Sequence, residues 1–544
     1  YKKMEFSKVL CIYIGHDASA CLLTDDILAI AEERITRKKN FFGIPFKSIN
    51  LILKLKKIQF KDIDKFIIAG NYLKKYNSYQ MISFIKNLNI DFSNEINFLN
   101  RLKLIKFLFN KKTLGTYLQD YLIINGFKGK IIYKDHHLCH VASSFATYPI
   151  KDSIMLSIDG GGDNINWSLY SYENNNFKIL KRMPLGKDGL VHDSPADVYA
   201  NVTKLLGYKR NKHEGKLTGL AAFGNPTKIE YFKKLLKFES GKFVCRIPYG
   251  KLSRLNKIKR LLNLFFYGIP YDLKMINDMK KNLKKTEPKD IASSLQIWLE
   301  KITLEFLDYY SHKYNFKNKN ILLSGGLFAN VSLNQKIRES NFFKNVFVVP
   351  NMGDGGLSLG GCFLESDNNQ KKTLFNKIQK NVFYGPSYSE SYVLSILNKS
   401  NLFFHKSENI SEEISLELSN KKIIGLFLNK MEFGPRALGA RSILANPSEK
   451  KINETLNRRL KRTEFMPFAP VIRDINVKKF FKNFDYNHYS AKFMTMTYKV
   501  SDDLKQLAPA VVHVDNTARP QVIDKDINLI YYKILENFEE LTNI

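Results

Sequence analysis

Two separate stretches of this sequence follow one pattern, in which an apolar strand leads through a glycine-containing turn into a second strand. The first stretch is 8–23 and the second is 153–170. A third apolar strand, Ile321–Leu323, is followed by a Ser-Gly-Gly turn and by a predicted helix from Leu327. Strands that alternate with helical segments favour an α/β class. The repetition predicts a duplicated α/β domain.

Proteins of the actin, sugar-kinase and heat-shock ATPase superfamily contain such a duplication, with the nucleotide in the cleft between the two halves. We therefore predict an actin-like-ATPase-type domain over 1–370 and a smaller domain over 380–544, joined by a polar linker at 365–380. The Lys- and Leu-rich segment 251–300 has helical periodicity and predicts surface helices that are inserted in the first domain or packed on it. In the second domain, 423–429 predicts a buried strand.

Composition limits the kinds of protein that the chain can be. No run of about 18 apolar residues occurs and no signal-peptide core follows the first residues, so we expect a cytoplasmic protein that does not enter a membrane. The five cysteines include no Cys-x-x-Cys pair, which argues against a disulfide scaffold or a zinc finger. The net charge of +33 is compatible with nucleic-acid binding, but the basic residues are spread along the chain. We therefore do not expect nucleic acid as the partner.

A histidine pair is the first candidate site. His136 and His140 are four residues apart and directly follow a predicted strand, 130–133. If a helix begins there, both imidazoles project from one face and suit a shared metal ion. Asp354, in the glycine-rich turn 351–356, is our candidate for a third ligand. Pairs with this spacing also occur as structural histidines, and the spacing alone leaves both interpretations open.

Glycine-rich turns predict nucleotide contacts in the first domain. The turn at 159–163 can bring backbone N–H groups close to phosphate oxygens because glycine has no side chain, although a plain hairpin turn also fits. The turn after Ile321–Leu323 resembles one that holds phosphate at a helix N-terminus. The candidate contacts are Asp159, Gly160, Gly161, Gly325, Gly326 and Asn330.

Basic residues recur among glycine, proline and aromatic residues in the second domain. The candidates are Arg436, Arg441, Lys461, Arg462 and Arg519. A guanidinium group binds phosphate or carboxylate through two parallel hydrogen bonds. Solvated surface charges are the alternative interpretation, but the neighbouring Gly, Pro and aromatic residues are not typical of polar surface loops. The pattern predicts an anion-binding site.

Several motifs resemble one family, the O-carbamoyltransferases of nodulation factor, cephamycin and aminoglycoside biosynthesis. In the first domain the matching segments are Gly-His-Asp-Ala-Ser-Ala (15–20), Glu-Glu-Arg (32–34), His-His-Leu-Cys-His (136–140), Asp-Gly-Gly-Gly-Asp (159–163), Glu-Gly-Lys-Leu-Thr-Gly (214–219), Ser-Gly-Gly-Leu-Phe-Ala-Asn (324–330) and Gly-Asp-Gly-Gly (353–356). In the second they are Glu-Phe-Gly-Pro-Arg-Ala-Leu-Gly (432–439), Pro-Phe-Ala-Pro (467–470) and Thr-Ala-Arg-Pro-Gln (517–521). They occur in the family's order over nearly the whole chain.

The resemblance implies a two-step reaction. The first domain would be similar to the tRNA threonylcarbamoylation ATPase, and the second to the carbamoyl-adenylate-forming domain of the same pathway. The second domain would make carbamoyl-adenylate from carbamoyl phosphate and ATP, the latter with Mg²⁺. The first domain would then transfer the carbamoyl group to a hydroxyl of a sugar-containing or other small-molecule acceptor. We also expect that two copies of the chain can form a homodimer.

The resemblance also implies roles for individual residues. His136, His140 and Asp354 would hold iron or another divalent ion. His16 would be the acid/base group, with Lys39 and Lys216 in contact with phosphate. The glycine-turn residues would line the adenylate cleft. The residues that would clamp carbamoyl phosphate and the ATP phosphates are Arg436, Arg441, Lys461, Arg462 and Arg519.

The chain departs from the family pattern at three points. Asn40 stands where the family often has His, and Met466 where many members have Arg. The family continues beyond the position of Ile544 with an Asn-Thr-Ser-Phe-Asn motif, so we expect the sequence to be C-terminally incomplete. The alternatives are a tRNA-modifying enzyme and a nucleic-acid-binding protein on the same fold. A sugar kinase would need neither the histidine pair nor the arginine-rich second domain.

Overall fold

Five strands form the first sheet of the protein. The computed structural model describes residues 6–71, 114–184, 193–247, 274–485 and 488–544. In spatial order, the strands of the first sheet are Ile27–Ala31, Ser19–Leu23, Val9–Tyr13, Lys65–Ala69 and Ile131–Lys134. The first three strands pair antiparallel, and the last two are added parallel.

The second sheet repeats this arrangement. In spatial order its strands are Asn176–Pro184, Ile165–Glu173, Ser153–Gly162, Asn320–Ser324 and Asn345–Val348. Three strands again pair antiparallel and two are added parallel. The two sheets therefore share one strand order and one set of directions, which confirms the predicted duplication and the α/β class.

Two helices lie between the two sheets. The first, His136–Thr147, is called the histidine helix below, and the second is Leu357–Glu365. Both contribute to a hydrophobic cluster that also contains residues of both sheets, such as Cys11 and Met155. The helices approach closely because Gly360 has no side chain and lies against the backbone of the histidine helix. This packing fixes the position of the histidine pair relative to the turn that precedes Leu357.

The long helix Pro288–Tyr314 corrects one prediction. We expected surface helices over 251–300, but this helix buries a broad face that includes Trp298 and Phe306. The indole N–H of Trp298 donates to the carbonyl of Leu236 at 3.2 Å. Lys and Glu residues on the outer face gave the segment its surface-like composition. Residues 251–273 lie outside the described residues.

The strands of the second domain form two-stranded sheets within the described residues. The pairs are Ile424–Phe427 with Arg441–Leu444, Val471–Arg473 with Gln521–Ile523, and Tyr498–Lys499 with Thr517–Ala518. The prediction of a fully buried strand at 423–429 is wrong. Leu426 packs against the helices Ile410–Ser419 and Leu529–Thr542, whereas Phe427 on the opposite face is 58% exposed. An apolar run does not reveal that only one face of its strand is covered.

The second domain packs directly on the half of the first domain that contains the second sheet. Ile472, Val477 and Val522 belong to the same hydrophobic cluster as Leu323 and Phe328. The side-chain amide of Asn334 donates to the carbonyl of Thr495 at 2.7 Å. The predicted linker at 365–380 contains a short helix, Asn368–Leu374, with a capping box formed by Asp367 and Gln370. The linker is therefore ordered rather than simply extended.

Other helices complete the two halves. In the first they are Glu32–Thr36, Phe46–Lys56 and Leu114–Ile124, and in the second Pro195–Leu205, Glu214–Ala221, Ile229–Leu235, Lys274–Leu283 and Val331–Glu339. The second domain adds Glu390–Lys399, Lys451–Arg459, Val477–Phe480 and Asp502–Leu507. Among the described residues, no helix combines the length and the apolar character needed to cross a membrane.

The glycine contact between the two central helices gives a stability test. A Cβ atom at Gly360 would lie 1.9 Å from the carbonyl oxygen of Cys139, whereas a Cβ at Gly215, also in a helix, would meet nothing within 4 Å. We expect Gly360→Ala to lower the free energy of unfolding by about 1–3 kcal/mol, since overpacking forces the backbones apart. Gly215→Ala should leave it unchanged or raise it slightly. Urea unfolding of both variants measures this, and equal effects would contradict the described packing.

Candidate active site

The histidine helix is fixed at its first turn by two aspartates. The side chain of Asp135 caps the helix by accepting from the backbone N–H of Leu138 at 2.8 Å. Asp163, from the turn of the second sheet, accepts from the backbone N–H of His136 at 2.7 Å. Because His136 and His140 are one helical turn apart, both rings project from the same face. The predicted helix is therefore present, and it begins at the first histidine.

Four side chains converge on one point beside this helix face. His140 Nε2 lies 3.3 Å from Asp159 Oδ2 and 3.3 Å from Asp354 Oδ1. His136 Nε2 lies 3.3 Å and 3.5 Å from the same two oxygens. One ligand atom from each of the four residues falls within 4.8 Å of all the others. The structure thus brings together the three predicted metal ligands and adds Asp159.

The donor set fits a divalent metal ion. Ligands about 2.1 Å from a tetrahedral metal are about 3.4 Å from one another, and the four distances between a histidine nitrogen and an aspartate oxygen here are close to that value. Two imidazoles and two carboxylates are typical ligands of zinc, iron and manganese. His136 Nδ1 and Asp354 Oδ1 are buried and make no hydrogen bond with any described residue. A bound cation would satisfy the Asp354 oxygen, whose neighbours are otherwise ring nitrogens.

Glycines allow the cluster to assemble. A Cβ at Gly162 would lie 2.2 Å from the ring of His136, and one at Gly325 would lie 2.2 Å from the carbonyl oxygen of Ile158. The predicted turn at 159–163 is displaced, because the strand continues to Gly162 and the left-handed residues Asp163 and Asn164 form the turn. Asp159 therefore lies inside the strand, near its end, where its carboxylate reaches the histidines. At Gly160, a Cβ would meet nothing within 4 Å, so space remains beside the cluster.

His16 lies next to the cluster between two carboxylates. Its Nδ1 is 3.2 Å from Asp17 Oδ2, and its Nε2 is 3.1 Å from Asp354 Oδ2. Burial lowers the pKa of His16, but the negative charges of Asp354, Asp17 and Asp159 outweigh it and raise the pKa to about 10. Asp354 also accepts a hydrogen bond from the hydroxyl of Tyr13. The predicted acid/base residue is thus part of the same carboxylate-rich site.

A second site is a cavity of about 540 Å³ in the second domain, called the arginine cavity below. Lys39, Arg436, Arg462 and Arg519 line it without an ion pair among the described residues, whereas Arg473 lines it in ion pairs with Glu536 and Glu539. Much of the remaining lining is apolar or amide and includes Asn446, Asn453, Phe468 and Met494. Proteins bind small molecules in cavities of about 300–1,000 Å³ that are mostly apolar with a few converging polar groups. The arginine cavity has this size and this lining.

The arginine side chains repel one another in the cavity. Burial, followed by the charge of Arg462, lowers the pKa of Arg436 to about 10, against the opposing effect of Glu464. Burial and the charges of Arg436 and Arg462 lower the pKa of Arg519 well below its usual value. The Nε atoms of Arg436 and Arg519 have no hydrogen-bond partner in the part of the chain that the structure describes. An anion in this cavity would relieve the repulsion and accept these hydrogen bonds.

Two of the predicted basic residues lie elsewhere. The guanidinium group of Arg441 stacks over Phe427, 3.5 Å from the ring centre, and donates to the carbonyl oxygens of Leu428 and Pro386. Lys461 is exposed and is not among the described residues that line the arginine cavity. The structure does not bring either one together with the other three arginines.

Lys216 and Asn330 are engaged with protein groups. The ammonium group of Lys216 donates to the hydroxyl of Thr463 at 2.6 Å, which joins the first domain to the loop before the Pro-Phe-Ala-Pro segment. Asn330 caps the helix Val331–Glu339 by accepting from Leu333 N at 3.0 Å, and its amide group donates to Gln296. These contacts stabilise the fold around the two sites.

Sequence analysis missed two functional positions. Asp159 was assigned to the nucleotide cleft and not to the metal cluster, and the only signal was its place at the end of a strand beside the histidines. Glu432 is buried, and its carboxylate accepts from the backbone N–H groups of Leu438 and Arg441 at 3.0 and 3.3 Å. It therefore shapes the loop that presents Arg436. The signal available in the sequence was that Glu432 is an acidic residue at the start of a Gly- and Pro-rich motif.

Comparisons with known proteins agree on one family. The family model described as Carbamoyltransferase N-terminus matches residues 8–363, and the one described as Carbamoyltransferase C-terminus matches residues 415–544. An uncharacterized protein of Methanocaldococcus jannaschii, MJ1051, is 32% identical over 97% of this chain and 89% of its own length. Nodulation protein NolNO of Sinorhizobium fredii is 28% identical over 97% of this chain and 73% of its own length.

A solved structure was also compared. HypF of T. kodakarensis has 15% sequence identity and a TM-score of 0.32, and the match covers 68% of this chain and 48% of that protein.

The metal site makes a prediction that needs no substrate. Purified protein, stripped with a chelator and titrated with Co²⁺, should bind one ion per chain. Loss of a residue that only hydrogen-bonds to a metal ligand already lowers metal affinity by about 10–100-fold. Because His140 itself is the expected ligand, His140→Ala should weaken binding by more than about 100-fold. Asp159→Ala should also weaken binding if Asp159 is a ligand. Isothermal titration calorimetry measures both effects.

His312→Ala is the matched control for this titration, because His312 is 80% exposed and lies far from the cluster in the long helix. It should bind Co²⁺ like the unchanged protein. Retention of full affinity by His140→Ala would contradict the assignment of the cluster as a metal centre.

Proposed function

Since the chain belongs to the carbamoyltransferase family, and is thus an enzyme that transfers carbamoyl groups, we propose that it is an ATP-dependent O-carbamoyltransferase. In this proposal carbamoyl-adenylate is made from carbamoyl phosphate and ATP in the arginine cavity. The carbamoyl group then passes to an acceptor hydroxyl beside the metal cluster. The proposal divides the chain into a transfer domain at 1–370 and an adenylate-forming domain at 380–544.

The observation that supports the proposal most is that four cationic side chains without an ion pair among the described residues line one cavity. Arg436, Arg462, Arg519 and Lys39 line a space of nucleotide-binding size, and no described carboxylate bonds to the Nε atoms of Arg436 and Arg519. Four positive charges match the several negative charges of ATP and carbamoyl phosphate. The same groups would stabilise the charge that develops as pyrophosphate leaves.

The first half-reaction consumes one water molecule. The bond between the carbamoyl carbon and the phosphate oxygen of carbamoyl phosphate is hydrolysed, which gives carbamate and inorganic phosphate. A carbamate oxygen then attacks the α-phosphorus of ATP and pyrophosphate departs with the electron pair. The products are carbamoyl-adenylate, phosphate and pyrophosphate, with Mg²⁺ as the usual counterion of the ATP phosphates.

The second half-reaction belongs to the site around His16. The acceptor oxygen attacks the carbamoyl carbon and loses its proton to solvent, and the bond from that carbon to the adenylate oxygen breaks so that AMP leaves with the electron pair. The positive charge that His16 holds between Asp17 and Asp354 supports a role as the acid of this step. A divalent ion held by His136, His140, Asp159 and Asp354, iron in our proposal, would supply Lewis-acid stabilisation of phosphate charge.

We propose a hydroxyl of a sugar-containing or other small molecule as the acceptor. The similarity to a protein named as a nodulation protein supports a small-molecule acceptor over a nucleic acid. A Cβ atom at Gly160 would meet nothing within 4 Å, so the chain leaves free space next to Asp159.

Pyrophosphate release tests the first half-reaction. We expect the purified protein to release pyrophosphate from ATP only when carbamoyl phosphate is present. Arg519→Gln should lower kcat/KM for this release by about 100-fold, which corresponds to the loss of a charge-assisted contact to a phosphate group in a buried site. An enzyme-coupled pyrophosphate assay measures the rate.

Two variants serve as controls for this assay. Arg459 is exposed and lies outside the cavity, so Arg459→Gln should retain the rate. His140→Ala should also retain pyrophosphate release, because its defect lies in the second half-reaction. Pyrophosphate release that does not depend on carbamoyl phosphate, or its absence under all conditions, would refute the proposed first step.

A further inference from the structure

One residue of the first domain reaches the arginine cavity. Among the described residues that line the cavity, Lys39 is the single one from the first domain, and all the others come from 418–544. Lys39 is exposed, and its ammonium group makes no hydrogen bond with the rest of the described chain. It is therefore available to an anion that enters the cavity.

The next residue along the chain belongs to the other site. The side-chain amide of Asn40 donates to Asp17 Oδ1 at 2.9 Å. The other oxygen of the same carboxylate, Asp17 Oδ2, lies 3.2 Å from His16 Nδ1. His16 Nε2 is 3.1 Å from Asp354 Oδ2, in the metal cluster. A continuous series of polar contacts therefore runs from Asn40 to the cluster.

The segment that carries Lys39 and Asn40 is held in place at both ends. Arg34 donates to the carbonyl of Gly434, in the loop that presents Arg436, at 3.0 Å. Asn40 N donates to the carboxylate of Glu33 at 2.6 Å, and His16 pairs with Phe42 in a short antiparallel bridge. Asn40 itself is left-handed, with φ of 53°. Because this segment contacts both sites directly, a displacement of Lys39 also moves Asn40 and is not taken up by a long flexible loop.

We propose that Asp17 and Asn40 are positioning residues that orient His16 according to whether the arginine cavity holds an anion. The proposal rests on the proposed function, in which that anion is a phosphate of a substrate or of pyrophosphate. An anion bound by Lys39 fixes the backbone of residue 39 and hence the position of the Asn40 amide. The amide then holds Asp17 against His16 Nδ1. Without the anion, the ammonium group of Lys39 is solvated, and the contacts from Asn40 through Asp17 to His16 are less ordered.

This arrangement has a chemical use in a two-step reaction. The intermediate exists only after the cavity has been filled, so His16 would be ordered when a carbamoyl group is ready for transfer. The coupling needs no large movement, since consecutive Cα atoms are about 3.8 Å apart. By linkage, the same contacts must make anion binding depend on the state of Asp17.

Chemical modification of His16 tests the proposal without an acceptor. Diethyl pyrocarbonate acylates only a neutral and accessible imidazole, so a His16 held between two carboxylates reacts slowly, and peptide mass spectrometry gives the rate at each histidine. We expect inorganic pyrophosphate, added to metal-free protein, to slow the modification of His16 by about fivefold, at the lower end of typical couplings between sites. His312 and His405, which are 80% and 67% exposed, serve as internal references and should be unaffected.

Asn40→Gly is the decisive variant, because glycine keeps the left-handed conformation and removes only the amide. It should still bind pyrophosphate, with an affinity no more than about fivefold below that of the unchanged protein, as the reciprocal coupling requires, yet His16 should be modified faster and at a rate that pyrophosphate no longer changes. Asp17→Asn should behave in the same way and serves as a second variant. Lys38→Ala, at an exposed neighbour outside the cavity, should match the unchanged protein.

The outcomes separate this proposal from the proposed function. Pyrophosphate that binds to the unchanged protein without any effect on His16 would overturn the link alone. An equal effect in Asn40→Gly would mean that the anion shields His16 directly, which also overturns the link. Failure of pyrophosphate to bind at all, measured by calorimetry, would overturn both the link and the assignment of the arginine cavity.

Discussion

The close packing of two helices between the sheets is the contact on which the cluster of two histidines and two aspartates depends. Gly360 lets the helix Leu357–Glu365 approach the carbonyl of Cys139 on the histidine helix. Asp354 lies just before one helix, and His136 and His140 lie on the other. A larger residue at position 360 would separate ligands that must lie within about 3.4 Å of each other. The chemistry of this site is thus set by backbone packing in the core.

Charge is sorted into two neighbouring sites of opposite sign. Asp17, Asp159 and Asp354 surround the histidines, whereas three arginines and Lys39 surround the cavity of the second domain. Each group of like charges is unfavourable by itself and is relieved by a ligand of the other sign. The overall charge of +33 gives no indication of this arrangement, because the functional charges are a small and locally balanced part of it.

The sequence predicted those features that depend on local pattern. The duplicated sheets follow from strand periodicity, and the shared face of His136 and His140 follows from helical spacing. Features that depend on contacts between distant residues were not predictable. Asp159 became a candidate ligand only when the strand was seen to end beside the histidines, and Arg441 turned out to bind carbonyl groups and an aromatic ring. The long helix Pro288–Tyr314 was misjudged because its charged face was read without its apolar one.

The position of Lys39 and Asn40 bears on how the two half-reactions are joined. A mixed anhydride such as carbamoyl-adenylate hydrolyses in water, so a protein that makes it in one domain and uses it in another must keep the two sites close. Lys39 lines the arginine cavity, and Asn40 bonds to the carboxylate that holds His16. Two adjacent residues, whose Cα atoms are about 3.8 Å apart, therefore contribute to both sites. In the proposed reaction the intermediate therefore has a short path to His16.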